Sequence, residues 1–216
     1  MESNLTSDIF TSLKKNKIIA TSAIPNLEVA PYILESLLKG GVRWIEITLR
    51  TPVALEIMEY VHSNFPEMNI MAGTILDKFQ VPQVQKAGAK VAVSPNINPH
   101  VLEEANNLSL PFIPGVATPT EIGLGINLGY NVFKFFPAEM IGGINYLKRV
   151  YAPFAHKNVY FIPLGGMNLA LLENYIKFDF ILAVGGSWIA NADLIKTKSW
   201  SAITQNASQA CRLATK

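Results

Sequence analysis

A single lysine, Lys134, lies inside the apolar and aromatic run Val132-Phe133-Lys134-Phe135-Phe136, which is otherwise typical of a buried strand. Lysine is rarely buried without a functional reason. An apolar pocket favours the neutral amine over the ammonium ion, and a neutral amine can attack a carbonyl carbon to form a Schiff base. The alternative is an edge-strand lysine whose stem lies on apolar surface while its ammonium group reaches water.

Polar side chains alternate with aliphatic ones along a second segment, Arg43-Trp44-Ile45-Glu46-Ile47-Thr48-Leu49-Arg50. In a strand, one face is then aliphatic and the other carries Glu46, Thr48 and Arg50. We expect the polar face to point to the interior, where Arg50 can hold a carboxylate through two hydrogen bonds and Glu46 can exchange protons. The alternative is a structural ion pair between Glu46 and Arg50.

Two glycine doublets follow apolar segments near the end of the chain, Gly165-Gly166 and Gly185-Gly186-Ser187. Each doublet alone is an ordinary turn signal. Together, at the ends of what we predict to be the last two strands, and with a hydroxyl on Ser187, they predict an anion-binding cradle of the kind used for phosphate groups.

Other chemistries have little support in the sequence. The three histidines are isolated, and none has a second histidine or a carboxylate at ligand spacing, so no metal site is predicted: His62, His100 and His156. No dinucleotide fingerprint follows the first predicted strand, and no basic cluster is interleaved with aromatic residues. We therefore expect no cofactor and no nucleic-acid partner.

The segments between these motifs predict an α/β fold. Short apolar runs alternate with helix-like segments, which is typical of a parallel sheet with crossover helices, and eight such units favour a TIM (β/α)8 barrel. An extra N-terminal helix is expected at Leu5–Leu13, with helix starts at Asn98, Thr118 and Asn168 and a last helix at Trp200–Leu213. The predicted strands are Ile18–Ala23, Arg43–Leu49, Asn69–Gly73, Lys90–Ser94, Pro111–Gly115, Tyr130–Phe136, Val159–Leu164 and Phe180–Gly185.

Composition is consistent with one domain over residues 1–216. Half of the residues are hydrophobic, 16% are charged, and the formal net charge is +2. The single cysteine, Cys211, has no partner for an intrachain disulfide, which favours a reducing, cytoplasmic setting. No apolar run approaches the length of a membrane span, so we expect a soluble protein without a membrane partner.

The ordered motifs resemble those of the bacterial 2-dehydro-3-deoxy-phosphogluconate (KDPG) and 4-hydroxy-2-oxoglutarate (KHG) aldolase family across most of the chain. The matching pieces are Gly40-Gly41-Val42, Ile45 to Thr51, Ala72-Gly73-Thr74, Val93-Ser94-Pro95, Ile113 to Val116, Phe133 to Glu139, Gly165-Gly166 and Val184 to Trp188. The resemblance implies a metal-free class I aldolase of the Entner–Doudoroff pathway, with an α/β barrel fold and a homotrimeric assembly.

By position, the resemblance implies that Lys134 forms the Schiff base with the 2-oxo group of the substrate and that Glu46 carries out the proton transfers. It places Arg50 and Thr74 at the carboxylate of the pyruvate half, and it gives Phe136 and Pro95 the shaping of the pocket around the amine. It implies that the phosphate end of the site is lined by Gly165, Gly166, Gly185, Gly186 and Ser187.

Two departures from the family pattern affect the choice of substrate. Leu164 stands where members commonly have a threonine beside the substrate, and a leucine loses the discrimination that a hydroxyl provides. Asn96 replaces a common glycine. The leading hypothesis is cleavage of KDPG to pyruvate and glyceraldehyde 3-phosphate. Three alternatives stay open: KHG or another 2-oxo-3-deoxy sugar acid as substrate, a phosphometabolite isomerase, and a non-catalytic binding barrel.

Overall fold

Parallel strands alternate with helices along the chain in the computed structural model, which describes residues 4–215; residues 1–3 and 216 lie outside the description. The strands are β1 (Ile18–Ser22), β2 (Trp44–Thr48), β3 (Asn69–Gly73), β4 (Val91–Val93), β5 (Phe112–Ile113), β6 (Gly115–Val116), β7 (Val132–Phe135), β8 (Tyr160–Pro163) and β9 (Val184–Gly186). The α/β class predicted from the sequence is confirmed.

Most of the helices connect one strand to the next, whereas one precedes β1 and two follow β9; two 3-10 helices, Glu139–Ile141 and Ala152–Lys157, flank one of the connecting helices. The α-helices are α1 (Ser7–Asn16), α2 (Ala30–Lys39), α3 (Ala54–Asn64), α4 (Gln80–Lys86), α5 (Pro99–Asn107), α6 (Pro119–Asn127), α7 (Gly143–Tyr151), α8 (Leu169–Ile176), α9 (Ala192–Lys196) and α10 (Trp200–Ala214). No helix among residues 4–215 is both long enough and apolar enough to cross a membrane.

The strands form two curved parallel sheets, ordered β5-β4-β3-β2-β1-β9 and β6-β7-β8. The predicted fifth strand is split into β5 and β6 by Pro114, which has no N–H to donate to a ladder. The predicted eighth strand is shorter than expected, because only one isolated bridge, Phe161 to Ile181, precedes β9. This half-barrel arrangement brings the carboxyl ends of the strands to one edge.

Local sequence signals explain where several helices begin. The Thr118 side chain accepts a hydrogen bond from the backbone N–H of Glu121, whose carboxylate accepts one from the Thr118 N–H, which is the predicted capping box. Asn98 and Asn168 cap α5 and α8 as predicted. The first helix ends later than expected, at Asn16, because the chain turns into the left-handed region only at Lys17, with φ of 56°.

Side chains on the inner faces of the strands pack against one another, so the interior is a core rather than a channel. Helix α1 lies at the amino ends of the strands, where the Ser12 hydroxyl accepts a hydrogen bond from Trp44 Nε1 at 3.0 Å. The residues that the motifs single out for chemistry lie at the opposite, carboxyl ends. The inner cluster includes Leu13, Ile19, Trp44, Met71, Val91, Val93, Ile113, Val132, Ile162, Leu164 and Leu182.

Candidate active site

A cavity of about 620 Å³ opens at the carboxyl ends of the strands. It brings together residues that are far apart in the sequence but that the motifs singled out. Of the residues predicted for the site, the cavity is lined by Glu46, Arg50, Thr74, Pro95, Lys134, Phe136, Leu164, Gly165, Gly166, Gly186 and Ser187. This is the place where barrel-type α/β proteins hold their active sites.

Lys134 and Glu46 form a buried ion pair in the cavity, with 3.0 Å between Lys134 Nζ and Glu46 Oε1. Only 5% of Lys134 and 1% of Glu46 are exposed. Strand β7 is paired on both sides, by β6 and β8, so the edge-strand alternative for Lys134 is wrong. Two buried charges are tolerated because each compensates the other, and the amine is held beside a carboxylate that can take its proton.

The Glu46 carboxylate occupies space left by a missing side chain. A Cβ at Gly73, which pairs with Thr48 on the neighbouring strand, would collide with the carboxylate. Its second oxygen, Oε2, is buried and has no hydrogen-bond partner among the described residues. Buried carboxylate oxygens are normally paired, so Oε2 is available to a group that enters the cavity.

The expected interior face of β2 is confirmed, since Glu46 faces the cavity and Ile45 and Ile47 pack in the outer core, a second cluster of buried strand and helix residues that also contains Ala20 and Leu34. Arg50 does not pair with Glu46, whose ion-pair partner is Lys134, so the structural Glu46–Arg50 pair is wrong. The exposed Arg50 instead donates from Nε to Thr48 Oγ1 at 3.3 Å. Its guanidinium remains able to bind an anionic group at this end of the cavity.

Thr74 holds a strained backbone at the same end, with φ of 66°. A β-branched residue seldom adopts this left-handed conformation, and such strain concentrates at functional sites. Thr74 directly follows β3, and this backbone conformation sets the position at which its side chain lines the cavity. The sequence alone carries no signal for this conformation.

The opposite end of the cavity is formed by the turn at Gly165 and Gly166, whose φ angles of 94° and 80° favour glycine. The residues after β7 support this turn from behind. The Ala138 N–H donates to Leu164 O at 2.7 Å, and the Glu139 N–H donates to Gly165 O at 3.0 Å. Helix α8 begins just beyond the turn, so its amino end faces the cavity.

Glu139 is itself fixed by the buried Tyr175 of α8, whose hydroxyl donates a short hydrogen bond to Glu139 Oε1. Burial, reinforced by this carboxylate, raises the pKa of Tyr175 well above its usual range. The phenol therefore stays a donor, and α8, Glu139 and the glycine turn form one connected unit.

Gly185 is placed differently from the other glycines of the predicted cradle. It does not line the cavity but lies beneath Leu164, and a Cβ at Gly185 would be 2.8 Å from Leu164 Cδ2. Its missing side chain makes room for the buried leucine. The register between strands, which decides this placement, is not visible in the sequence.

The cavity also contains residues that the sequence analysis did not assign to a binding site. Of these, Thr21 is the residue whose orientation could best be predicted from the sequence, because strand alternation places it on the same inward face of β1 as Ile19. Trp188 contributes an indole Nε1 that is buried and unpaired within residues 4–215. The unassigned lining residues are Thr21, Thr48, Met167, Asn168, Trp188 and Asn191. In the part of the chain that the structure describes, no cluster of three or more His, Cys, Asp or Glu residues could hold a metal ion.

Comparisons with known proteins agree with the motifs in this cavity. A family model described as KDPG and KHG aldolase matches residues 9–206. The KHG/KDPG aldolase of Escherichia coli (strain K12) is 35% identical over 198 residues, which are 92% of this chain and 92% of that protein.

Two solved structures are similar over nearly the whole fold. The KDPG aldolase of Legionella pneumophila, with pyruvate captured at low pH as a covalent carbinolamine intermediate, is 38% identical at a TM-score of 0.87 and covers 92% of this chain and 96% of that chain. The Zymomonas mobilis ZM4 2-keto-3-deoxy-6-phosphogluconate aldolase with 3-phosphoglycerate is 34% identical at a TM-score of 0.86 and covers 94% and 95%.

Proposed function

Since this chain belongs to the KDPG and KHG aldolase family, we propose that it is a class I aldolase that cleaves KDPG to pyruvate and glyceraldehyde 3-phosphate. Membership of the family makes the protein a carbon–carbon lyase. The observation that carries the proposal is the buried Lys134–Glu46 pair, 3.0 Å apart, in the cavity at the strand ends. No other buried ion pair is present among residues 4–215.

The first chemical stage is Schiff-base formation. Lys134 passes a proton to Glu46, and its neutral Nζ adds to the C2 carbonyl carbon of the substrate. The oxygen on C2 takes up a proton from the nitrogen that has just added, which gives a neutral carbinolamine. Glu46 then returns its proton to this oxygen, which leaves as water, and the nitrogen lone pair completes an iminium ion beside the regenerated carboxylate. The relative from Legionella pneumophila, described with pyruvate as a covalent carbinolamine, supports this stage.

The second stage breaks the bond between C3 and C4. The bonding pair flows into the iminium and gives the enamine of pyruvate, while the proton of the C4 hydroxyl passes to Glu46, directly or through one water. The aldehyde leaves, the enamine gains a proton at C3, and water releases pyruvate from Lys134. Glu46 Oε2, which has no hydrogen-bond partner within residues 4–215, supports this assignment, because it can accept the C4 proton while Oε1 stays with the nitrogen of Lys134.

The two ends of the cavity fit the two charged ends of the substrate. Arg50 and Thr74 bind the carboxylate of the pyruvate half, and the Gly165-Gly166 turn with Gly186 and Ser187 binds the phosphate. Phe136, whose ring centroid is 5.2 Å from Lys134 Nζ, and Pro95 shape the space around the amine. Gly185 acts indirectly, through Leu164.

KHG is the second candidate substrate. Leu164 is only 4% exposed and offers the aldehyde half hydrocarbon rather than a hydroxyl, which weakens discrimination between aldehydes. The relative from Escherichia coli carries both substrates in its name. The chemistry at Lys134 and Glu46 is the same for both.

The test is a cleavage assay in which the released pyruvate is reduced by lactate dehydrogenase. We expect wild type to cleave KDPG, Lys134→Met to be inactive, and Glu46→Gln to lose about 10² to 10⁴ in rate, the usual value of general acid–base catalysis. Ser187→Ala should weaken KDPG binding more than KHG binding. Full activity of Lys134→Met would instead favour an isomerase or a non-catalytic binding barrel.

We further propose that residues 1–216 form one domain, a closed (β/α)8 barrel with α1 outside the repeat. Its support is that only Pro114 separates β5 from β6 and that the Phe161–Ile181 bridge links β8 to the segment before β9. A homotrimer is proposed on the family resemblance, and light scattering should give three times the 23.7 kDa of the chain. A cytoplasmic location is proposed from the single cysteine, Cys211.

A further inference from the structure

We propose that Thr21 is a specificity-determining residue, whose hydroxyl binds the C5 hydroxyl of the substrate and selects aldehydes with a hydroxyl next to the carbonyl. The proposal rests on the proposed aldolase function. Thr21 lines the cavity from β1 and has no place in the chemistry of Lys134 and Glu46 described above.

The orientation of Thr21 follows from the alternation along β1. Ile19 belongs to the inner cluster and Ala20 to the outer core, so Thr21 points inward and Ser22 outward. Thr21 is also in register with Glu46 on the adjacent parallel strand. Its side chain therefore lies beside that of Glu46 in the wall of the cavity.

The Thr21 hydroxyl is buried but unused. Its Oγ1 has no hydrogen-bond partner among residues 4–215, although a threonine hydroxyl can donate one bond and accept two. Leaving a buried hydroxyl without a hydrogen bond is unfavourable. A hydroxyl in this state beside a binding cavity therefore favours a ligand that can hydrogen-bond to it. Rotation about χ1 exchanges the positions of the hydroxyl and the methyl group and presents the hydroxyl to the cavity.

The position of Thr21 along the cavity matches one carbon of the substrate. On one side is Glu46, assigned to the C4 oxygen, and on the other is β9, where Ala20 pairs with Gly186 at the phosphate end. Thr21, one residue further along β1, lies between the two. The carbon between C4 and the phosphate-bearing carbon of KDPG is C5, which carries a hydroxyl.

The β8 wall of the cavity gives no competing hydrogen bond from its strand end. Leu164 is buried there and presents only hydrocarbon. A substrate hydroxyl between these two walls can therefore form a hydrogen bond with Thr21 on β1 but not with the Leu164 side chain. Glyoxylate, which has a carboxylate and no hydroxyl next to its aldehyde, cannot make the same contact.

The test measures aldol addition of pyruvate to two aldehydes that differ by one hydroxyl, glyceraldehyde 3-phosphate and 3-phosphooxypropanal. We expect wild type to prefer glyceraldehyde 3-phosphate in kcat/KM by about tenfold or more, the usual value of one hydrogen bond. Thr21→Val should reduce the preference to within about threefold, and Thr21→Ser should keep most of it. Valine matches threonine in shape and strand propensity, so the fold is retained.

Two controls separate this role from others. Ser22→Ala removes a second buried hydroxyl, on the outward face of the same strand, that has no hydrogen-bond partner among residues 4–215, and it should leave the preference unchanged. Exchange of the pyruvate methyl hydrogens in D₂O, followed by NMR without an aldehyde, reports on Schiff-base and enamine formation alone. This exchange should be equal in Thr21→Val and wild type.

Three results would overturn the proposal. An unchanged aldehyde preference in Thr21→Val would mean that the hydroxyl does not contact the substrate. Slower pyruvate exchange, with equal losses for both aldehydes, would mean that Thr21 acts through Glu46. No exchange in wild type would overturn the aldolase function and the role of Thr21 with it, and this failure is recognisable because it appears without any aldehyde.

Discussion

Replacement of Lys134 by methionine should strongly destabilise the protein, because it leaves the Glu46 carboxylate buried without its partner. The pair is direct, at 3.0 Å, and the two residues are 5% and 1% exposed, so solvent compensates only weakly for the lost ammonium group. Breaking a buried pair by removing one partner costs about 3 to 5 kcal/mol, a large share of the roughly 5 to 15 kcal/mol that keeps a domain folded. Methionine keeps most of the stem volume, so the loss is mainly electrostatic.

Urea unfolding at pH 8, followed by tryptophan fluorescence, measures this loss as a lower midpoint at an unchanged slope. The matched control is the double variant Lys134→Met with Glu46→Gln, which removes both charges. We expect it to recover most of the stability, to within about 1 to 2 kcal/mol of wild type, because no uncompensated charge remains. The reasoning is refuted if the single variant loses less than about 1 kcal/mol, or if the double variant is no more stable than the single one.

Further predictions concern the residues around the cavity and the core. Tyr175→Phe removes the hydrogen bond that fixes Glu139 behind the glycine turn, so steady-state kinetics should give a higher KM for KDPG but an unchanged rate of pyruvate methyl exchange; slower exchange would contradict a role confined to the phosphate end. Ser22→Ala removes a buried hydroxyl that has no partner in the described part of the chain and should raise the free energy of unfolding by up to about 1 kcal/mol, whereas a loss of stability would show that the hydroxyl is hydrogen-bonded. Burial raises the pKa of Tyr130 to about 12, so the fold favours the neutral phenol and loses stability between pH 10 and pH 12; Tyr130→Phe should flatten that decline in urea titrations, and an equal slope in both proteins would contradict the assignment.

The features that could be predicted from the sequence are those whose whole signal lies within one short segment. The capping box at Thr118–Glu121 and the alternation along β2 depend on neighbouring residues, so both were predictable. Lys134 could be singled out because its charged side chain conflicts with the buried strand that the surrounding aromatic residues indicate. These features sufficed to place the site at the carboxyl ends of the strands.

What the sequence did not reveal depends on pairs of residues that only the fold brings together. Lys134 and Glu46 are 88 residues apart, and nothing local distinguishes their ion pair from one between Glu46 and Arg50. Gly185 looks like its neighbour Gly186, yet the strand register puts one under Leu164 and the other in the cavity. Thr21 is an ordinary strand residue until the structure shows that its hydroxyl has no partner in the described chain.

The most direct test of catalysis by Lys134 is trapping with borohydride. The protein is incubated with pyruvate and sodium borohydride, which reduces an imine to a stable amine, and is then analysed by intact and peptide mass spectrometry. We predict one pyruvate-derived adduct per chain, confined to the peptide that contains Lys134 and absent from Lys134→Met. Folded protein that gives no adduct at saturating pyruvate, or an adduct on another lysine, would contradict the class I mechanism at this site.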